Sequence, residues 1–308
     1  MPKTYVERDL IIEKPQTEVY ETVHAFQKWP DWSPWLVVEP DCKLTFAPDG
    51  DSYSWEGEKI GVGSIHRVHE KKPEEMQYEL RMLKPWKSTS SVAMYFSEEE
   101  GGTRVKWTMD SSLPLPMFWM KTMMECMIGM DYQRGLMRLK DLCEKGTVPS
   151  QSVITESVTF EGVTGIGLKT LCAMDQVGPR MQEDFGKLHQ LMEEKDLQPT
   201  SPPFAIYNPK KMGKGQCAYT VGIPVAEIPE GLAEEYETVT IPGGDCFAID
   251  HSGPYRHLGD AWALGMTYSR KKLFPADKRC DPFEVYLTDP RETPEDEQQT
   301  RLYFPRKG

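Results

Sequence analysis

The sequence predicts an α+β protein in two halves: an antiparallel sheet curved around a long C-terminal helix, then a pseudo-twofold duplicated β-α-β-β domain. Three observations predict this. The connector Lys145-Gly146-Thr147-Val148-Pro149-Ser150-Gln151-Ser152 stops a long helical pattern at glycine and precedes a new strand. Ahead of it, one strand and one helix lead into a series of strand-like segments with glycine turns between them. Beyond it, Pro203-Phe204-Ala205-Ile206-Tyr207-Asn208-Pro209 and Pro282-Phe283-Glu284-Val285-Tyr286-Leu287-Thr288-Asp289-Pro290 echo one another, as copies of a repeated unit do. Domains are therefore expected at residues 1–148 and 149–308.

In the first half, Tyr5 to Ile12 reads as a strand. Pro15 then opens a helix whose Val19, Val23 and Phe26 recur at helical spacing, and Trp29 and Pro30 close it. Strand-like runs follow at Lys43-Phe46, Ser52-Trp55, Gly63-Glu70, Met76-Leu83, Ser90-Phe96 and Thr103-Met109, with Asp49-Gly50 and Gly101-Gly102 as hairpin turns. A helix from about Pro116 to Glu144 ends this half. It carries Met117, Met120, Met124, Met127 and Ile128 on one side and Leu136, Leu139 and Leu142 farther along. A sheet wrapped on such a helix is expected to leave a cavity.

The second half reads as two units. The first runs Val153-Phe160, a stretch to Cys172, a helix Pro179-Lys195, then Phe204-Tyr207 and Cys217-Pro224. The second runs Glu237-Ile241, Cys246-Asp250, a helix begun by Pro254, then Phe283-Leu287 and Arg301-Phe304. The seam between the copies is the natural place for a groove.

Composition excludes several function classes. The net charge of -12 is spread over both halves, with 19 basic and 24 acidic residues in 1–148 and 17 and 24 in 149–308. A chain that holds nucleic acid by counterion release carries a basic stripe; the clusters here, Lys210-Lys211 to Lys214 and Arg270-Lys271-Lys272, read as solvated faces. No apolar run nears the ~20 residues of a membrane span, and Met1-Pro2-Lys3-Thr4 lacks the apolar core of a secretory signal. A cytoplasmic protein without membrane or direct nucleic-acid partners is expected. Seven scattered cysteines with no C-x-x-C pair suit reduced thiols, so no metal and no cofactor is expected. His66 and His69, three apart on a strand, are expected to face opposite ways. Gly61-Val62-Gly63 lacks the later glycine and lysine of a phosphate loop and reads as a turn.

Glu284 is the strongest chemical candidate, because it stands where the earlier copy has Ala205. Strand alternation puts Phe283, Val285 and Leu287 on one face and Glu284 and Tyr286 on the other. An enclosed carboxylate has to bind a cation, accept hydrogen bonds or take up a proton. Tyr255 and Trp262 are expected nearby from the helix begun by Pro254, with Tyr303 completing an aromatic wall from the last strand. His251 reads as a loop histidine bonded to backbone. In the first half, Trp32 and Trp35, with Met120 and Met124 opposite, are candidate lining for an apolar pocket.

Two resemblances follow from these residues. Residues 1 to about 148 resemble the SRPBCC superfamily, the START-like helix-grip fold of polyketide-cyclase-related proteins. The likeness rests on Trp32-Ser33-Pro34-Trp35, the Tyr53 to Gly63 segment, Thr103-Arg104-Val105-Lys106-Trp107 and Gly135-Leu136-Met137-Arg138-Leu139-Lys140. Residues from about 153 onward resemble the GyrI-like effector-binding domain through His251-Ser252-Gly253-Pro254-Tyr255, Phe283-Glu284-Val285-Tyr286 with Asp289-Pro290, and Thr300-Arg301-Leu302-Tyr303-Phe304-Pro305. The second resemblance implies that Glu284 meets lipophilic, often cationic ligands in an aromatic pocket. It also implies two alternatives: a hydrolase of reactive electrophiles using Glu284 and Tyr255, and a protein antagonist of the gyrase-inhibitor type. A lipophilic small molecule is the expected partner in the first two cases.

Overall fold

Strand β1 (Lys3–Ile12) leads into α1 (Gln16–His24), where Pro15 takes the capping position because its fixed φ suits it and it needs no hydrogen-bonded N–H. The helix buries Val19, Tyr20, Thr22 and Val23. It stops at extended Ala25, and Phe26 falls in a following 3-10 turn. Pro30, expected to close this helix, instead opens a further short one, α2 (Trp29–Trp32), since proline is at home in a first turn. Strands β2 (Lys43–Phe46), β3 (Ser52–Glu56), β4 (Val62–Lys71), β5 (Glu75–Lys84), β6 (Ser88–Glu99) and β7 (Gly102–Ser112) follow. A 3-10 segment, Leu115–Met120, precedes α3 (Lys121–Lys145), which ends at Gly146 in the left-handed conformation. The sheet order is β1-β7-β6-β5-β4-β3-β2, with every neighbouring pair antiparallel.

This computed structural model describes residues 3–113, 115–208 and 215–307, the side chains of 115–117 excepted. The Met117 side chain and the Lys210-Lys211-Lys214 cluster lie outside what is described. The chain divides into two compact units, Met1–Pro149 and Ser150–Gly308.

Between the N-terminal sheet and α3, the space expected to be a cavity holds packed rings. Trp32 is 0% exposed, with ring centroids 4.8 Å from Trp29 and 5.5 Å from Trp107, and Trp107 stacks on Tyr132 at 4.0 Å. Trp32 is thus a core residue rather than lining, because the neighbouring indoles and Tyr132 fill the volume it was expected to border. Trp35 is partly buried on the same core and donates its indole N–H to Asp131 at 3.2 Å. Met120 and Met124 are half-buried. The Gly57 to Gly61 turn has its donors filled from within: the buried Glu39 carboxylate accepts from the backbone of Glu58, Lys59 and Ile60. A bulge between Arg67 and His69 breaks the alternation on which the opposed placement of His66 and His69 was predicted.

The C-terminal unit contains β8 (Gln151–Phe160), β9 (Val163–Ala173), α4 (Val177–Glu194), β10 (Phe204–Tyr207) and β11 (Gln216–Pro224). The second copy contains β12 (Tyr236–Ile241), β13 (Gly244–Ser252), α5 (Leu258–Arg270), β14 (Phe283–Tyr286) and β15 (Gln299–Pro305). Their sheet runs β12-β9-β11-β10-β14-β15-β13-β8. The order is symmetric about the β10–β14 pair, and the copies exchange their first strands: β12 joins β9 while β8 joins β13. One face carries an apolar cluster that includes Phe204, Phe283, Val285 and Tyr303; the other meets α4 and α5.

Candidate functional site

Everything at the site follows from the register of the central strands. Ala205 in β10 pairs with Glu284 in β14, and paired residues share a face. By alternation Tyr207 and Tyr286 lie on that face too, so the two copies of the repeat aim their equivalent tyrosines at a single carboxyl group. Tyr286 donates to Glu284 Oε2 at 2.6 Å and Tyr207 donates to the same oxygen at 3.1 Å. The Trp262 indole N–H, from α5, donates to Oε1. Glu284 is 1% exposed.

These surroundings pull its acidity in two directions. Burial raises the Glu284 pKa, while the bonds from Tyr286, Trp262 and Tyr207 lower it; burial prevails, so the group holds its proton more firmly than an ordinary glutamate. Burial and the Glu284 charge likewise push the Tyr207 and Tyr286 phenols well above their usual range. Among the described residues no lysine, arginine or histidine forms an ion pair with Glu284.

Rings close the space around the carboxyl. Tyr207 and Trp262 meet at 4.8 Å, and Tyr255 packs edge-on against Tyr286 at 5.5 Å. From α4, Phe185 packs against Tyr286 at 5.6 Å, and Met181 Sδ lies 3.1 Å from the Tyr286 hydroxyl. The Tyr255 phenol is pushed up to about 12, first by burial and then by the Glu284 charge. Of the residues expected here, Glu284, Tyr286, Tyr255 and Trp262 are brought together.

Tyr303 is not. It pairs with Phe283, the neighbour of Glu284 that faces the other way, and stacks on that ring at 4.8 Å. One step of register therefore puts it on the opposite side of the sheet, against Phe160 as well. Leu287, expected to continue the strand, lies past the end of β14 and is 42% exposed. Tyr207, Met181 and Phe185 escaped the sequence reading. The signal for Tyr207 was present, since both echoing segments carry tyrosine at the same place.

Two open grooves, of about 380 and 430 Å³, lie on the N-terminal unit; one is bordered by Glu13, Gln16 and Glu98, the other by Phe46, Ser54, His66 and Arg81. Neither includes Trp32, Trp35 or a residue of the Glu284 cluster. Among the described residues no group of three or more His, Cys, Asp or Glu side chains is placed to hold a metal ion. No helix among them is long and apolar enough to cross a membrane.

Comparison with known proteins divides the chain in the same way. The family described as polyketide cyclase/dehydrase and lipid transport matches residues 3–144, and the family described as GyrI-like small molecule binding domain matches residues 155–307. No curated protein matches the chain. Among solved structures, protein MLL2253 from Mesorhizobium loti is 14% identical, with 47% of this chain and 98% of that one covered and a TM-score of 0.37. XoxI from Bacillus cereus is 15% identical, with coverage of 45% and 94% and a TM-score of 0.35. EcmrR in its DNA complex is 14% identical, with coverage of 59% and 67% and a TM-score of 0.43. The chain is a fusion of a member of the polyketide cyclase/dehydrase and lipid transport family with a member of the GyrI-like small-molecule-binding family.

Proposed function

We propose that the C-terminal domain binds a lipophilic cation, with Glu284 as the charge anchor and Tyr207, Tyr255, Trp262 and Tyr286 as the walls. The observation that carries this reading is a buried carboxyl ringed by aromatic donors and paired with no basic side chain among the described residues. A buried carboxylate without a counter-charge is costly, and a ligand cation supplies that charge. Each ring adds roughly 0.5–2 kcal/mol of cation-π attraction once water is excluded. In the ligand-free form two hydroxyls and an indole N–H stand in for the cation, and ligand entry requires these side chains to turn aside. Binding of matched cationic and neutral hydrophobic dyes to wild-type and Glu284→Gln protein tests the reading. Selective loss of the cationic dye is expected; equal loss of both, or loss of neither, contradicts it.

The raised Glu284 pKa also favours a second reading, in which Glu284 donates a proton or activates water as a hydrolase, with Tyr255 assisting. Turnover of strained or activated electrophiles that disappears in Glu284→Ala supports it, and stoichiometric binding without products across a broad panel excludes it.

A further inference from the structure

Among the described residues, three buried polar atoms of the C-terminal domain have no hydrogen-bond partner: His251 Nε2, Thr300 Oγ1 and the Tyr255 hydroxyl. Register makes the first two neighbours. His251 in β13 stands opposite Thr300 in β15, and Thr300 stands opposite Tyr286 in β14. Those three side chains share the Glu284 face, each Cβ about 5 Å from the next. The Tyr255 ring lies against Tyr286. His251 and Thr300 are each 1% exposed, and a polar group shut away without a partner is less stable than one left in water.

The other copy of the repeat shows what completes such a row. There Tyr207 stands opposite Tyr219, and Tyr219 opposite Thr170. Asp184 of α4 accepts from the Tyr219 hydroxyl at 2.8 Å and from Thr170 at 2.7 Å. The equivalent row Tyr286, Thr300, His251 ends instead on unpartnered atoms.

We propose that the ligand supplies the missing oxygen: a carbonyl or hydroxyl group takes the place that Asp184 fills in the other copy, accepting from Thr300 and Tyr255 and meeting His251. His251 suits either group. Ser152 Oγ lies 3.1 Å from its Nδ1 and is able to donate or accept, which leaves Nε2 to present a hydrogen or a lone pair. Tyr255 sits on a single 3-10 turn after Pro254, so a shift of this turn opens the subsite from one side. The subsite lies one row, about 7 Å along β14, from Glu284. This extends the reading above, and the two together describe a ligand with a positive group and an oxygen one strand row apart.

Butyrophenone and butylbenzene differ by one carbonyl oxygen and carry no charge, so they probe the subsite without calling on Glu284. Calorimetric or fluorescence titration is expected to show wild-type protein binding the ketone about three- to tenfold more tightly. Thr300→Val and Tyr255→Phe are each expected to erase the difference between the ligands. Tyr255→Phe, on the helical turn, carries the test if Thr300→Val does not fold. Equal affinity for the two ligands in wild type, including no binding of either, overturns the proposal, as does a ketone advantage that survives substitution. Failure of the Glu284 reading shows separately, as absence of charge selectivity among ammonium ligands.

Discussion

Ala205 and Glu284 face each other across the two central strands of the C-terminal sheet, equivalent positions of a repeat brought into register. The pairing explains why only one copy carries the acid. A second carboxylate at Ala205 would stand beside the first in a site that excludes water. Ala205→Glu is expected to destabilise the domain by on the order of 3 kcal/mol or more. The loss should be larger at about pH 8 than at about pH 5, because protonation relieves the repulsion. Denaturant midpoints at the two pH values check this.

Glu284→Gln is expected to stabilise the free protein as pH rises. Burial raises the folded-state pKa of Glu284. Its contribution to stability is therefore fully present below the unfolded-state value of about 4.5 and is lost as pH climbs through the folded value. Glutamine has no proton to lose, so the variant's advantage in urea midpoint should grow across that interval. A constant difference at all pH values would show that Glu284 does not titrate differently on folding.

His251 sets a dependence of opposite sign. Burial lowers its pKa to about 4, outweighing the hydrogen bond to the Pro254 backbone and the Asp260 charge, with the His257 charge adding the smallest effect. The unfolded chain takes up this proton near pH 6.5 and the folded chain only near 4, so stability is full above 6.5 and falls as pH drops between the two. The ceiling on this loss is about 3 kcal/mol. His251→Asn, which preserves an acceptor toward Ser152, should flatten the curve over that interval.

Tyr286→Phe should cost more than Tyr207→Phe. The Tyr286 hydroxyl is 2.6 Å from the Glu284 oxygen and the Tyr207 hydroxyl 3.1 Å, and hydrogen bonds to ionised groups contribute about 1.5–3 kcal/mol. Both substitutions should raise the Glu284 pKa further and so weaken cation binding near neutral pH. Thermal unfolding together with a binding titration of each variant measures the order.

Much of this arrangement was legible in the chain. The two echoing segments reveal the repeat, and alternation along Phe283-Glu284-Val285-Tyr286 separates the charged face from the apolar one. The side taken by Tyr303 was not legible, because the register of β15 on β14 is set by the connection across residues 287–298 and not by either strand alone. The exchange of β8 and β12 between the copies is hidden for the same reason: a local repeat says nothing of which partner each edge strand chooses. Trp32 was a candidate for pocket lining on its residue type and spacing, and only the positions of Trp107 and Tyr132, distant in sequence, decide for core.

The most direct measurement is the affinity of wild-type and Glu284→Gln protein for phenylbutyltrimethylammonium and for its uncharged carbon analogue, taken across pH. Wild type is expected to prefer the cation by about tenfold or more, increasingly so as Glu284 ionises, and Glu284→Gln to lose this preference while still binding the neutral analogue. Equal affinity of wild type for the two ligands, or a preference that persists in Glu284→Gln, would contradict it.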